Sequence, residues 1–322
     1  MENNNISRDS IIVQIRPGIL TPNFYFELSV FVITFAICLI LIVITIFLEP
    51  FKRTESVKGV VILQSSSTLI YSIVLITKYL SAYFLLINNV KFSIIYTTFS
   101  SQLFYFVYNF NYTVPFFITY WRFSLIVLGK KTSLTEKVFI GCFSMVFNFI
   151  AFLYVIFYST NLAKTSFYTA IYDLGLFTDS VFPWFDTLPQ IAGCILGIIL
   201  NLIILKKIWN HQKTMRNKST ISKNDKTLTF NTLFQTIMPF MIIVSYNLYF
   251  CVLIDYGFQS NTFRQFIKYI EIVYLPCCPL SFVFFLEIYR IQFINFFFPN
   301  KKLFKKSTNS TSINQITTKS VL

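Results

Sequence analysis

Seven mainly apolar stretches, each of about twenty residues or more, leave this chain few folds to choose from. They run from about Phe26 to Leu48, Val60 to Leu80, Thr98 to Trp121, Val138 to Tyr158, Leu188 to Ile208, Leu233 to Ile254 and Phe266 to Tyr289. A hydrocarbon layer of about 30 Å is crossed by about 20 residues of α-helix. Helix is the economical choice, because in lipid every backbone amide must bond within its own segment. The expected fold is an all-α membrane protein, a seven-transmembrane helix bundle. Its second and third spans have the softest limits, since Tyr79 to Tyr96 is itself quite apolar. Composition agrees: 55% of residues are apolar and 12% charged, about half the charged share of a soluble domain. The chain divides into a segment 1–25, a bundle 26–289 and a tail 290–322. The opening segment carries Pro17 and Pro22 and no apolar core with a cleavage site, so the first span is expected to direct insertion.

The cations set the orientation. With the amino terminus outside, 20 of the 27 Lys and Arg residues fall on the cytoplasmic side. They include Lys52, Arg53 and Lys58 in the first loop, Lys130 and Lys131 in the second, and Lys206, Lys207 and Lys226 in the third. Lys301, Lys302, Lys305 and Lys306 lie in the tail. The expected topology is amino terminus out, carboxyl terminus in. Asn5-Ile6-Ser7 is then an exterior glycosylation acceptor, whereas Asn111-Tyr112-Thr113 lies within the membrane.

Several function classes lose support. The net charge of +14 is spread between apolar runs rather than gathered on one face, which argues for topology and against nucleic acid. The six cysteines, Cys38, Cys142, Cys194, Cys251, Cys277 and Cys278, lie inside apolar runs, and His211 is the lone histidine, so neither a metal site nor a cofactor is expected. No catalytic constellation stands out. Glu27, Lys78, Glu271 and Glu287 fall toward span ends, where long side chains are expected to reach water. No internal repeat supports a carrier built from duplicated halves.

What remains is a bundle with polar and aromatic side chains in its outer half. Gln102, Tyr105 and Asn109 share one face of the third span by their i, i+3, i+7 spacing. With Tyr246, Asn247 and Tyr274 they are the candidate ligand-binding residues, each more often an interhelical hydrogen bonder than a ligand contact. Pro115, Pro239, Pro276 and Pro279 fall inside spans. Each removes a backbone donor and bends its helix, and Pro239 is the candidate pivot. Gly193 and Gly197 permit close helix approach within the bundle. Arg122, flanked by Trp121 and Phe123, is placed either to bind a partner's carbonyls or to anchor its helix among headgroups. Beyond Tyr289, aromatics followed by Lys301 to Lys306 suit anionic membrane lipid. The Ser- and Thr-rich end from Ser307 to Leu322 is polar and low in complexity.

The seven spans, the Tyr120-Trp121-Arg122-Phe123 boundary and the Lys226-Thr227-Leu228-Thr229 entry to a Pro239-bearing sixth span together resemble the nematode serpentine chemoreceptors, the broad group holding the Srg, Sru and Srv families. The resemblance covers the whole chain in length and topology. It implies a G-protein-coupled receptor in the plasma membrane of sensory neurons and their cilia, detecting a small environmental or pheromone-like molecule. Its partners would be that small-molecule ligand, a heterotrimeric G protein docking at Arg122, Lys206 and Lys207, and membrane lipid. The chain departs from the large rhodopsin-like class in three places. Trp121, not an acid, precedes Arg122; the seventh span ends Phe285-Leu286-Glu287-Ile288-Tyr289 without Asn-Pro-x-x-Tyr; and no cysteine pair ties the third span to the second exterior loop. Alternatives from other classes are a ligand-gated chemosensory channel, disfavoured by the cation count, and a small-solute transporter.

Overall fold

The computed structural model describes residues 12–13, 22–47, 55–88, 92–130, 134–158, 161–164, 170–173, 187–214, 220–249, 256 and 260–297. Asn5, Lys52, Arg53, Cys251 and the tail from Lys301 to Leu322 lie outside the described residues, as does the side chain of Asn247.

Seven long helices form the bundle: α1 (Pro22–Phe47), α2 (Glu55–Ile87), α3 (Ile94–Ile126), α4 (Leu134–Tyr158), α5 (Thr187–Thr214), α6 (Thr220–Leu248) and α7 (Asn261–Phe285). An eighth, α8 (Glu287–Phe297), follows α7 after a break at Leu286. There the backbone opens to φ −101°, ψ 108° while Leu286 N–H still reaches the Phe282 carbonyl. The chain thus turns three residues before the expected end of the bundle at Tyr289. α6 likewise starts well before the expected Leu233, because its first turns pack on α5 despite their polar sequence, and its expected end at Ile254 lies outside the described residues. α2 and α3, with 33 residues each, extend about 50 Å, well beyond the hydrocarbon layer.

Two small ribbons were not foreshadowed by the apolar pattern. β1 (Ile12–Val13) pairs antiparallel with β2 (Phe92–Ser93) just before α3. β3 (Asn161–Lys164) pairs antiparallel with β4 (Ala170–Asp173) between α4 and α5, in a register that sets Asn161 opposite Asp173, and β4 runs against α3. The bundle thus has a ribbon end, where α1, α3, α5 and α7 begin, and an α8 end, where they finish.

The helices close a ring through the α1–α2, α2–α3, α3–α5, α5–α6, α6–α7 and α7–α1 contacts, with α4 packed against α3 and α3 reaching α6 as well. α5 shows why the sequence packs this way. Gln190, Cys194, Gly197, Asn201, Ile204 and Ile208 recur every three or four residues and are all buried. Ile195, Leu196, Ile199, Leu202 and Ile203 face outward and are exposed. An exposed face of that kind has no place in water and suits lipid. Five helices among the described residues, α1, α2, α5, α6 and α7, are long and apolar enough to cross a membrane. With the seven-helix architecture this makes the chain a multi-pass membrane protein.

Small residues let the helices approach. A side chain at Gly197 would place its Cβ 2.8 Å from Thr236 Cγ2 on α6, whereas one at Gly193 would meet Phe116 at an ordinary 3.9 Å. Gly197 is therefore the close approach and Gly193 is not. At the α8 end, Leu41, Ile44, Val60, Val61, Val114, Ile118, Leu228, Phe282, Leu286 and Tyr289 form one core, and Tyr289 Oη lies 2.9 Å from Thr45 Oγ1.

Candidate functional site

The sequence leaves Glu27 and Glu271 able to reach water at span ends; the structure turns both inward. Glu27 falls in the buried row Phe24, Glu27, Phe31, Thr34, Cys38 of α1 and is 2% exposed. Lys268 Nζ lies 2.5 Å from Glu27 Oε1, and the Tyr79 hydroxyl donates to the other oxygen. Helix geometry forces the result: the face that buries Phe24 and Phe31 necessarily buries position 27. A buried carboxylate is tolerated only with such partners, and ionisable groups held inside a membrane protein mark functional ground.

Glu271 lies ten residues into α7, about 15 Å along the helix axis. Its two oxygens accept hydrogen bonds from Tyr246 on α6 at 2.9 Å and Tyr71 on α2 at 3.4 Å. Beside them stands a stack of tyrosine rings. Tyr71 and Tyr108 are 5.8 Å apart, Tyr108 and Tyr112 meet edge-on at 4.4 Å, and Tyr112 lies nearly parallel to Tyr274 at 6.0 Å. Tyr71, Tyr112 and Tyr274 are each 1–2% exposed. Two helices, α2 and α6, therefore aim tyrosine hydroxyls at one carboxylate, with tyrosines of α3 and α7 stacked beside them. Sequence reasoning missed Glu271, Tyr71 and Tyr112. The available signal was the spacing of Glu271, Tyr274 and Cys278 along one face of α7.

The six residues expected to bind ligand fall in three places. Tyr246 and Tyr274 belong to the Glu271 cluster. Asn109 is buried between helices, taking a 2.6 Å hydrogen bond from Gln190 on α5 and donating to Asn148 on α4 at 3.4 Å. Gln102 is buried one face above it, and Tyr105 is 38% exposed on the outer surface. Residues 102, 105 and 109 do share a broad helix face, but 105 sits at its edge and the packing boundary runs between it and the other two. The backbone of Asn247 lies in α6.

From the tyrosine stack a seam of polar side chains runs toward the α8 end. Pro239 has no N–H for the carbonyl of Gln235, and the Tyr274 hydroxyl donates to that carbonyl at 3.3 Å. Gln235 Nε2 donates to Ser281 Oγ and to the Cys278 carbonyl, and Gln64 Nε2 donates to Cys278 Sγ. Ser67 and Thr68 both donate to Asn111 Oδ1. Asn111, 2% exposed, is thus buried in the helix bundle. Lower down, Asn201 donates to Thr119 Oγ1 at 3.0 Å and accepts from Thr232 Oγ1 at 2.8 Å.

The seam ends at Arg122, which is 1% exposed. Its Nη1 donates to Thr232 Oγ1 at 3.2 Å and its Nη2 to the Asp225 carbonyl at 3.1 Å. The carbonyl it holds is on its own chain, on α6, and α3 is thereby fastened to α6. Trp121 beside it packs onto Gly59 of α2. Lys206 and Lys207 stand exposed at the α8 end of α5, and the ammonium of Lys226 lies 5.2 Å from the Trp209 ring. Outside the spans, Lys130 pairs with Glu136 at 2.8 Å, and that hydrogen-bonded carboxylate raises the lysine above its ordinary range.

No family model matches the chain, and no curated protein matches it. Among solved structures it is similar to squid rhodopsin, with a TM-score of 0.56 at 14% sequence identity, over 85% of this chain and 79% of that one. At that identity the likeness is one of fold, and it agrees with the seven-helix bundle.

Proposed function

We propose that the chain is a G-protein-coupled chemosensory receptor, oriented with its amino terminus outside, its ribbon end toward the exterior and its α8 end in the cytoplasm. It would lie in the plasma membrane, including sensory cilia, and detect a small environmental or pheromone-like molecule, as its resemblance to nematode serpentine chemoreceptors implies. The observation that carries this reading is the Arg122 clamp. One helix, α6, joins the Glu271 cluster through Tyr246 at one end to Arg122 through Thr232 and Asp225 at the other, with Pro239 between them. A ligand that binds one setting of α6 better than the other shifts the population of the clamp. The buried amide of Asn231, next to Thr232, has neither donor nor acceptor satisfied in the clamped setting, and so favours a second arrangement.

In this reading Arg122 holds α6 at rest and, once released, meets a carbonyl of the G protein beside Lys206 and Lys207. Arg122→Ala is expected to lower G-protein activation at unchanged surface abundance. Normal signalling by that variant would reduce Arg122 to a packing residue. The buried Glu27–Lys268 pair favours one second reading, a small-solute carrier. Time-dependent, saturable uptake of a solute into sealed vesicles holding the protein would favour the carrier over the receptor.

A further inference from the structure

We propose that the Glu271 cluster is a binding site for a small protonated alkylamine; this deepens the receptor reading, on which its biological role rests. Three observations carry it. The first is charge. Glu27 spends its carboxylate on Lys268, one helical turn from Glu271, whereas Glu271 is held by two neutral hydroxyls. The three ionisable groups Glu27, Lys268 and Glu271 sum to one negative charge when ionised, and an ammonium ion would complete the set.

The second is access. Glu271 is half-buried, yet it does not face lipid. The exposed face of α7 is marked by Phe266, Val273 and Phe284. Glu271 is two residues from Val273, about 200° around the helix, and shares its face with the buried Ile267, Tyr274 and Cys278. The part of Glu271 left uncovered therefore lies on the inner side of α7 rather than toward lipid. Tyr108 and Tyr246 beside it are likewise only half-buried.

The third is a hydroxyl oxygen with an acceptor site to spare. Tyr112 is 2% exposed and its hydroxyl makes no well-aligned hydrogen bond, with the Tyr108 hydroxyl as its near neighbour and the Glu271 carboxylate within its field. A buried hydroxyl without a partner is costly and calls for one. An ammonium N–H can donate to that hydroxyl oxygen, while the faces of the surrounding rings attract the positive charge. The chain already uses that attraction nearby: Lys78 Nζ sits 4.3 Å from the centroid of Phe104, whose ring packs on Tyr71 and Tyr108. Lys78 is seven residues beyond Tyr71, about 10 Å further along α2 toward the ribbon end.

The test uses the full-length chain in lipid nanodiscs and a graded series of primary alkylammonium ions, from methylammonium to 2-phenylethylammonium, each paired with the alcohol of the same skeleton. Equilibrium binding is read by thermal shift and by tyrosine fluorescence. At least one ammonium ion is expected to bind at least about tenfold more tightly than its alcohol, the effect of one charge-assisted contact. Glu271→Gln, which keeps the shape and one acceptor oxygen, is expected to abolish that preference, and Tyr112→Phe to reduce it. If no ammonium ion outbinds its alcohol, the proposal is overturned without reference to any variant. It is equally overturned if Glu271→Gln folds and retains the preference. Nucleotide exchange on added G protein is read separately. Selective ammonium binding without exchange supports the site and rejects the receptor reading, whereas exchange without ammonium selectivity does the reverse.

Discussion

Tyr274 and Pro239 are expected to be energetically coupled, and the coupling has a definite size. Pro239 leaves the Gln235 carbonyl without its helical donor, and the Tyr274 hydroxyl fills the gap from α7 at 3.3 Å. Tyr274→Phe removes that hydroxyl and nothing else, leaving a carbonyl stranded deep in the bundle. An orphaned buried acceptor costs about 1–3 kcal/mol, while hydrogen bonds between membrane helices average about 0.6 kcal/mol and reach about 1.7 kcal/mol. The expected cost is therefore about 1 kcal/mol. Pro239→Ala returns an amide to position 239, which can bond the Gln235 carbonyl directly, so in that background Tyr274→Phe should cost close to nothing. Reversible unfolding of the full chain in mixed micelles, run as a double-mutant cycle, measures the difference. A coupling energy near 1 kcal/mol supports the assignment. Equal costs in both backgrounds, within the roughly 0.3–0.5 kcal/mol by which independent sites add, would refute it. The same Pro239→Ala chain is also expected to change the ratio of basal to stimulated signal if the bend is a pivot. An unchanged ratio would leave Pro239 a passive kink.

Other consequences are simpler to measure. A tag after Met1 should be reachable on intact cells and a tag after Leu322 only after permeabilisation; the opposite accessibility would reverse the orientation and end the receptor reading. Gly197→Val should cost about 1–3 kcal/mol through its clash with Thr236, while Gly193→Ala, with ordinary space around its Cβ, should be tolerated; equal effects would mean that the α5–α6 approach is looser than 2.8 Å implies. Lys130→Ala should lower stability only slightly at neutral pH, because its pair with Glu136 is exposed to solvent on both sides. Since Glu136 raises that ammonium, the small contribution of the pair is present at neutral pH and below the ordinary lysine range, and is lost only as pH climbs through the raised value; a stability loss centred near neutrality would assign the effect to another group.

The spans were legible because lipid imposes one requirement on every helix that crosses it, a continuous apolar length, and each of the seven apolar stretches falls on one long helix, five of which meet that requirement among the described residues. The break at Leu286 was not, since Phe285-Leu286-Glu287 is a good helical sequence and tertiary packing of Tyr289 against Thr45 decides the turn. Nor were the ribbons, which depend on backbone pairing rather than on any apolar rhythm. In the site the difficulty is orientation about the helix axis. A span that is apolar all round gives no polar stripe by which to tell inside from outside, so Gln102, Tyr105 and Asn109 read alike although packing separates them. Glu27 and Glu271 were read from depth alone, which places long side chains at the water, whereas the helix faces turned them inward. The bend at Pro239 and its orphaned carbonyl could be read directly, because proline's missing N–H is a covalent fact. The donor that satisfies it, Tyr274, needed the fold.

The central claim is that releasing α6 from Arg122 activates a G protein, and it can be tested without knowing the ligand. Thr232→Val keeps the side-chain shape and removes the hydroxyl that Arg122 Nη1 holds at 3.2 Å. Purified wild-type and Thr232→Val chains, each in nanodiscs with one representative of every major class of heterotrimeric G protein, are compared for the rate of guanine-nucleotide exchange. The expected result is a higher basal rate for Thr232→Val than for wild type with at least one G protein, abolished when Arg122→Ala is added. No acceleration of exchange by either chain, on any of the G proteins, would contradict it.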